Sequence, residues 1–327
     1  MHELTCLEIC AGAGGQSLGL EGAGLSHVAA VEIDPDACAT LRLNRPQWDV
    51  IEGDVHQLDG RPYGGVDLLA GGVPCPPFSV AGRQLGADDE RDLFPEALRL
   101  ARECEPAAVM LENVPGLSQA RFACYREQVL RQLGELGYQS AWRVLNACDL
   151  GVPQLRPRLI LVAMRPGAFR YFEWPGTAGT PPTVGEALHA MMAGDGWAGA
   201  GEWARKASGV APTLVGGSRL HGGPDLGPAR ARAAWRRLGV DGRGLADAPP
   251  PASAPDDHVP RLTRDMAAAI QGFPPAWRFC GRKTSAYRQV GNALPPPVAR
   301  AVGARIRVAL QAARDDGKEP PREHQAL

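Results

Sequence analysis

The sequence predicts an α/β fold: a doubly wound sheet carrying a smaller, irregular second domain. Three observations predict it. Apolar runs rich in Val, Ile and Leu alternate with helical stretches from residue 4 to residue 163; most of these runs end at a glycine or a carboxylate; and the regularity dissolves between 174 and 260 before returning. A chain of 327 residues is long enough for one large domain or two ordinary ones.

The first run, 4–10, leads directly into Ala11-Gly12-Ala13-Gly14-Gly15-Gln16-Ser17. This reads as a strand, a glycine turn that lets backbone approach a ligand, and a helix start; Leu18, Leu20 and Leu25 suggest a short helix. Ser17 stands where a dinucleotide fingerprint wants glycine, which disfavours a nicotinamide cofactor. The second run, 28–32, ends at Glu32, and a helix over 37–43 follows Asp34-Pro35. Glu32 suits either ribose hydroxyls or the cap of that helix. The third strand, 49–51, leads to Asp54, and the fourth, 66–70, leads into Gly72-Val73-Pro74-Cys75-Pro76-Pro77-Phe78-Ser79. Cys75 therefore stands on a proline-flanked turn at a strand end, either as a reactive thiol or as a small buried hydrophobe.

Residues 81–92, rich in Gly and charge, suit a mobile surface loop. A helix over 93–104 precedes a strand over 107–111 that stops at Glu112-Asn113-Val114. Residues 120–136 read as helix, 140–148 as strand, and Gln154-Leu155-Arg156-Pro157-Arg158 opens the apolar run 159–163. The stretch 174–260 is too long for one loop and is expected to be a second domain, its clearest helix being 228–238 with Arg230, Arg232, Arg236 and Arg237. Thr263 is placed to cap a helix over 264–271, and a final amphipathic helix is expected over 298–313. The expected boundaries are 1–173 for the first domain, 174–260 for the second, 261–314 for the return, and 315–327 for a disordered tail.

Charge is uneven. Residues 1–70 hold eleven acidic and three basic side chains, whereas 199–250 hold eight basic and four acidic, which suits either a polyanion-binding face or plain solvated surface. Eight cysteines contain no C-x-x-C pair or zinc spacing, so no metal is expected and the thiols should be reduced. No apolar run is long enough for a membrane span, and the N-terminal residues lack a basic signal-peptide region, so a cytoplasmic protein is expected.

Taken in order, these blocks resemble the DNA (cytosine-C5) methyltransferases of bacterial restriction-modification systems, over nearly the whole chain outside 174–260. The glycine turn 10–15 resembles the loop at the cofactor's methionine end, Glu32 the ribose-binding acid, and Asp54 the residue that reads the adenine amino group. Pro74-Cys75 is similar to the nucleophile motif, Glu112-Asn113-Val114 to the ENV motif, and Gln154-x-Arg156-x-Arg158 to the Q-x-R-x-R motif. Gln271-Gly272-Phe273-Pro274 and Gly291-Asn292-Ala293-Leu294-Pro295 resemble the two C-terminal blocks, and Pro212-Thr213-Leu214 the Thr-Leu pair of target-recognition domains. Two departures stand out: Cys10 where the family usually has phenylalanine, and Pro76 where it usually has glutamine.

The resemblance implies a Rossmann-like class I methyltransferase sheet, S-adenosyl-L-methionine as cofactor, S-adenosyl-L-homocysteine as its product, and double-stranded DNA as partner. A monomer is expected, working with or without a restriction endonuclease encoded nearby. It implies Cys75, Glu112, Arg156 and Arg158 as catalytic residues. Cys10, Ala11, Gly12, Gly14, Gly15, Glu32, Ile33, Asp54, Val55, Pro74, Asn292 and Ala293 would line the cofactor. Ser79, Arg83, Arg91, Gln154, Thr213, Arg219 and His221 would meet DNA. Cytosine C5 is a weak carbon nucleophile, so the implied chemistry is a thiolate adding to C6, with Glu112 sharing a proton at N3 and Arg158 holding O2. Those atoms are unreachable inside a stacked duplex, which implies base flipping. A tRNA cytosine-C5 methyltransferase and a catalytically silent DNA-binding regulator are the competing readings. The long insertion disfavours the first, and intact Cys75, Glu112 and Arg158 disfavour the second.

Overall fold

The computed structural model describes residues 3–73, 92–217 and 223–317. Its centre is a seven-stranded sheet of order β3-β2-β1-β4-β5-β7-β6, formed by β1 (Leu4–Ile9), β2 (Leu25–Glu32), β3 (Val50–Glu52), β4 (Leu68–Gly71), β5 (Ala108–Asn113), β6 (Gln139–Asn146) and β7 (Pro157–Met164). The pairings among β1 to β5 are parallel, while β7 runs antiparallel to both β5 and β6. All five of the parallel strands therefore present their C-terminal ends on one edge, where open α/β sheets bind ligands.

Strand periodicity explains the layers. Along β1, Leu7 and Ile9 face a core shared with α3 (Phe94–Cys104) and α4 (Ala123–Glu135), while Leu4 and Cys6 face a core shared with α1 (Gly15–Gly22) and α11 (Pro296–Asp316). Helix α2 (Pro35–Asn44) starts where expected, with Asp34 accepting from the Asp36 amide at 3.0 Å and Pro35 at the first position. The fold class read from the sequence is thus observed, with local differences. Leu25 opens β2 rather than extending α1, because Gly24 turns the chain there at φ 85°. Helix α11 runs on to Asp316, which pairs with Arg170 and Tyr171, so order extends past the expected boundary at 315.

After α5 (Pro166–Phe169), which packs on the sheet, the insertion is organised by α6 (Val184–Met192), α7 (Ala200–Lys206) and α8 (Ala229–Arg237), and is followed by α9 (Arg264–Ile270) and α10 (Lys283–Asn292). Thr263 caps α9 as expected, its hydroxyl accepting from the Met266 amide at 3.2 Å. The expected break at 260/261 does not coincide with a break in packing. Leu188, Trp203, Leu214 and Trp235 share one apolar cluster with Met266, Ile270, Tyr287 and Val290. Burial of large aromatic surface couples the insertion to α9 and α10.

Candidate active site

A cavity of about 420 Å³ opens along the C-terminal edge of the sheet. Its floor is the turn between β1 and α1. Gly14 adopts φ 85° and Gly12 φ 55°, the left-handed region that glycine enters at little cost. A side chain at Gly15 would put its Cβ 2.4 Å from the Leu294 carbonyl oxygen, so the turn can lie against 293–294 only as glycine. Trp277 fixes the turn from behind, donating from its indole nitrogen to the Ala13 carbonyl at 3.1 Å.

Glu32, at the end of β2, is the first acid of the cavity. Its Oε2 accepts from the Gly12 amide at 2.7 Å, and its Oε1 accepts from the Ile33 and Asp34 amides at 2.9 and 2.8 Å. Burial pushes its pKa up, making it a weaker acid, and the three amides oppose that shift. The helix-cap role falls to Asp34, so Glu32 is free to face the cavity. Ile33 beside it is 62% exposed, an apolar surface suited to one face of a flat ring. Asp54 commits Oδ1 to the His56 amide and ring at 3.0 and 2.7 Å, and the His56 hydrogen bonds hold its carboxyl below the usual range.

The opposite end carries two buried groups of opposite charge. Arg158 Nε lies 2.7 Å from Glu112 Oε1, with both side chains only 11% exposed. They meet because β5 and β7 are antiparallel neighbours, pairing Asn113 with Leu159, so that the end of one strand adjoins the beginning of the other. Burial raises Glu112 toward its protonated form, while Arg158 and Arg156 act in the other direction. Glu112 Oε2 lies beside Gly72 at the end of β4. Asn113, whose role the sequence reading did not separate from its motif, donates to the Val73 carbonyl at 3.1 Å and anchors the chain just before Pro74.

Of the expected cofactor residues, Cys10, Ala11, Gly12, Gly15, Glu32, Ile33, Asp54, Val55, Asn292 and Ala293 line this cavity. Gly14 does not: it faces Trp277 and Leu41 and shapes the turn instead. Cys10 holds a left-handed φ of 50°, and burial, with Glu32 and two further carboxylates, keeps its thiol protonated. Pro74, Cys75, Ser79, Arg83, Arg91, Arg219 and His221 lie outside the described residues. Gln16 was missed. It lines the cavity, and its buried amide has no partner among the described residues.

Two expected site residues prove to be struts. Arg156 is fully buried and donates to the Leu214, Gly291 and Ala293 carbonyls at 2.8, 2.6 and 3.0 Å, so it does not reach the cavity as a catalytic group. Gln154, expected at DNA, is likewise fully buried: it accepts from the Leu214 amide at 2.8 Å and donates to Gln271 Oε1 at 2.5 Å. Thr213 donates to the Leu155 carbonyl at 2.6 Å. Together these bonds fasten the 213–217 segment to the cavity wall. Gly216 and Gly291 touch backbone to backbone, since a Cβ on Gly291 would stand 2.5 Å from Gly216 Cα. Helix α10 itself went unread, although Ala286, Tyr287 and Val290 follow helical spacing.

Comparison with known proteins agrees with this arrangement. The family model of C-5 cytosine-specific DNA methylases matches residues 4–187 and 233–307. The chain is 58% identical over 314 residues to the type II methyltransferase M.NaeI of Lentzea aerocolonigenes, covering 95% of this chain and 76% of that protein. It is 52% identical over 323 residues to M.NgoMIV of Neisseria gonorrhoeae, covering 94% and 99%. Among solved structures, the S. pombe Dnmt2 methyltransferase shares the fold at a TM-score of 0.60 and 16% identity, covering 94% of this chain and 99% of that one. The chain is a DNA methyltransferase and belongs to the C-5 cytosine-specific DNA methylase family.

Proposed function

We propose that this enzyme transfers a methyl group from S-adenosyl-L-methionine to C5 of a flipped-out cytosine within a specific double-stranded DNA sequence. The observation that carries the reading is the single cavity joining a nucleoside-type end, Glu32 with Ile33 and Asp54, to the buried Glu112–Arg158 pair. The cofactor fits the residues present: Glu32 is oriented for ribose hydroxyls, Ile33 offers an apolar face to adenine, and the orphaned amide of Gln16 suits the polar methionine end. When bound, that cofactor supplies an electrophilic methyl group.

The chain's own residues do the rest. Cys75, three residues beyond Gly72, adds as thiolate to C6 of cytosine and converts the ring to an enamine. The charge arriving at N3 is met by Glu112, whose burial favours a carboxyl that still holds its proton. Arg158 holds O2 of the base and keeps Glu112 in place. After C5 is methylated, its hydrogen leaves to a base and Cys75 is expelled. Residues 174–260 act as the target-recognition domain, with the 213–217 segment held against the cofactor wall. The setting is a bacterial cytoplasm, the enzyme working as a monomer, in a restriction-modification context like that of its relatives.

The test is incubation with labelled cofactor and duplex DNA carrying 5-fluorocytosine, after bisulfite sequencing has located the modified site. A covalent complex with the unaltered enzyme and none with Cys75→Ala is expected. A complex that still forms with Cys75→Ala sinks the mechanism, and modification of tRNA but not duplex DNA sinks the substrate.

A further inference from the structure

Helix α8 is an unusual surface for a protein whose formal net charge is −1. Residues 229–243 contain five arginines and one carboxylate, Asp241. Trp235, fully buried, anchors the helix in the core and fixes which side faces water. Arg230, Arg236 and Arg237 are exposed, and no acidic partner accompanies any of them among the described residues. Elsewhere arginines such as Arg42, Arg45, Arg61 and Arg99 are each paired with a carboxylate. The single acid of the segment is already committed: Asp241 accepts from Arg243 at 2.9 Å and from Arg261 at 3.0 Å.

Geometry aligns these charges. Arg230 and Arg237, seven positions apart, lie on one stripe about 10 Å long at helical rise. Arg236 turns aside into a groove that it lines with Asp241, Arg243, His258 and Arg261. The first turn of α8 also abuts the segment that touches the active-site wall. A Cβ on Gly227 would stand 3.4 Å from both Ala231 and Val215, while Asn292, which lines the cofactor cavity, donates to the Gly217 carbonyl at 3.2 Å. The arginine stripe thus begins beside the segment that is bonded to the wall of the cofactor cavity.

Resting on the function proposed above, we infer that the exposed face of α8, through Arg230 and Arg237 with Arg236 at its flank, is a docking surface for the phosphate backbone of duplex DNA. Duplex DNA presents phosphates at about 3.4 Å per strand along its axis, so a stripe of this length spans roughly three of them. Exposed arginines without carboxylate partners are held ready for an anionic partner, and phosphate contacts fix register without reading sequence.

The experiment measures duplex affinity by fluorescence anisotropy between 50 and 300 mM salt, with S-adenosyl-L-homocysteine present, for the unaltered enzyme, R230Q/R237Q and the distant control R131Q. Each lost phosphate contact lowers the slope of log affinity against log salt by about 0.9, so the double variant should lose about 1.8 and R131Q nothing. The loss should be the same for target and non-target duplexes, and binding of S-adenosyl-L-homocysteine should stay unchanged, which also verifies folding. An unchanged slope in R230Q/R237Q overturns this surface alone. Weakened binding of a structured RNA with unchanged duplex binding also overturns it. No duplex binding by the unaltered enzyme overturns both this surface and the substrate reading on which it rests.

Discussion

Glu112 and Arg158 meet at 2.7 Å across two antiparallel strands that the chain reaches 46 residues apart. Removing one partner from a buried pair strands the other, at a cost of about 3–5 kcal/mol. Arg158→Ala should therefore unfold at lower temperature and lose methyl transfer. Adding Glu112→Gln to it should recover much of the stability without recovering activity. Thermal melts and labelled-methyl assays on both variants check this; equal melting of single and double variants counts against a coupled pair.

Glu112→Gln alone tests the proton at N3. An amide keeps the volume but has no acidic proton, so turnover should fall by about 10²–10⁴-fold while cofactor affinity holds. Single-turnover methyl transfer, with calorimetric S-adenosyl-L-homocysteine binding, separates the two effects.

Arg156 should behave as structure. Its guanidinium joins Leu214 to Gly291 and Ala293, and Arg156→Met leaves the buried Leu214 and Gly291 carbonyls without this donor, while Ala293 keeps its bond from Gln271 at 2.6 Å. Each unsatisfied group costs about 1–3 kcal/mol. Urea unfolding should show the largest stability loss of the variants named here, and residual folded enzyme should keep its turnover. A stable but inactive Arg156→Met would restore this residue to the catalytic set.

Glu32→Gln should weaken cofactor binding. A hydrogen bond to a charged group is worth about 1.5–3 kcal/mol, which is a loss of roughly 10–150-fold in affinity. Calorimetry with S-adenosyl-L-homocysteine measures it, and retention of full affinity would remove Glu32 from the ribose.

Asp241 sets an acid limit. The Arg243 hydrogen bonds, opposed by burial and aided by Arg261, hold its carboxyl well below the unfolded value of about 3.9. A depressed native value means that the stabilisation is fully present above the unfolded value and is lost as pH falls toward the native one. Asp241→Asn should be less stable than the unaltered enzyme at pH 7, and that gap should shrink as pH drops below about 4. Urea midpoints over that range give the answer, and a pH-independent gap would refute it.

Much of this was written in the sequence. Continuous apolar runs between helical stretches determined the sheet, because strands covered by helices on both faces are apolar on both. Glycines at 12 and 14 determined the turn because other residues resist positive φ, and Gly15 because a Cβ there would strike the Leu294 carbonyl. Carboxylates at strand ends marked Glu32, Asp54 and Glu112, since sheet topology gathers such ends on one edge. What only the tertiary structure decided is which side chains of a motif face the cavity. Gln154, Arg156 and Arg158 alternate along one short segment, yet Arg158 meets Glu112 while the other two are buried against Leu214, Gln271 and 291–293. Those partners arrive from 58 to 137 positions away, and their carbonyls must be satisfied once water is excluded. Local spacing carries no information about that demand, so the division between catalytic group and strut is made by long-range packing.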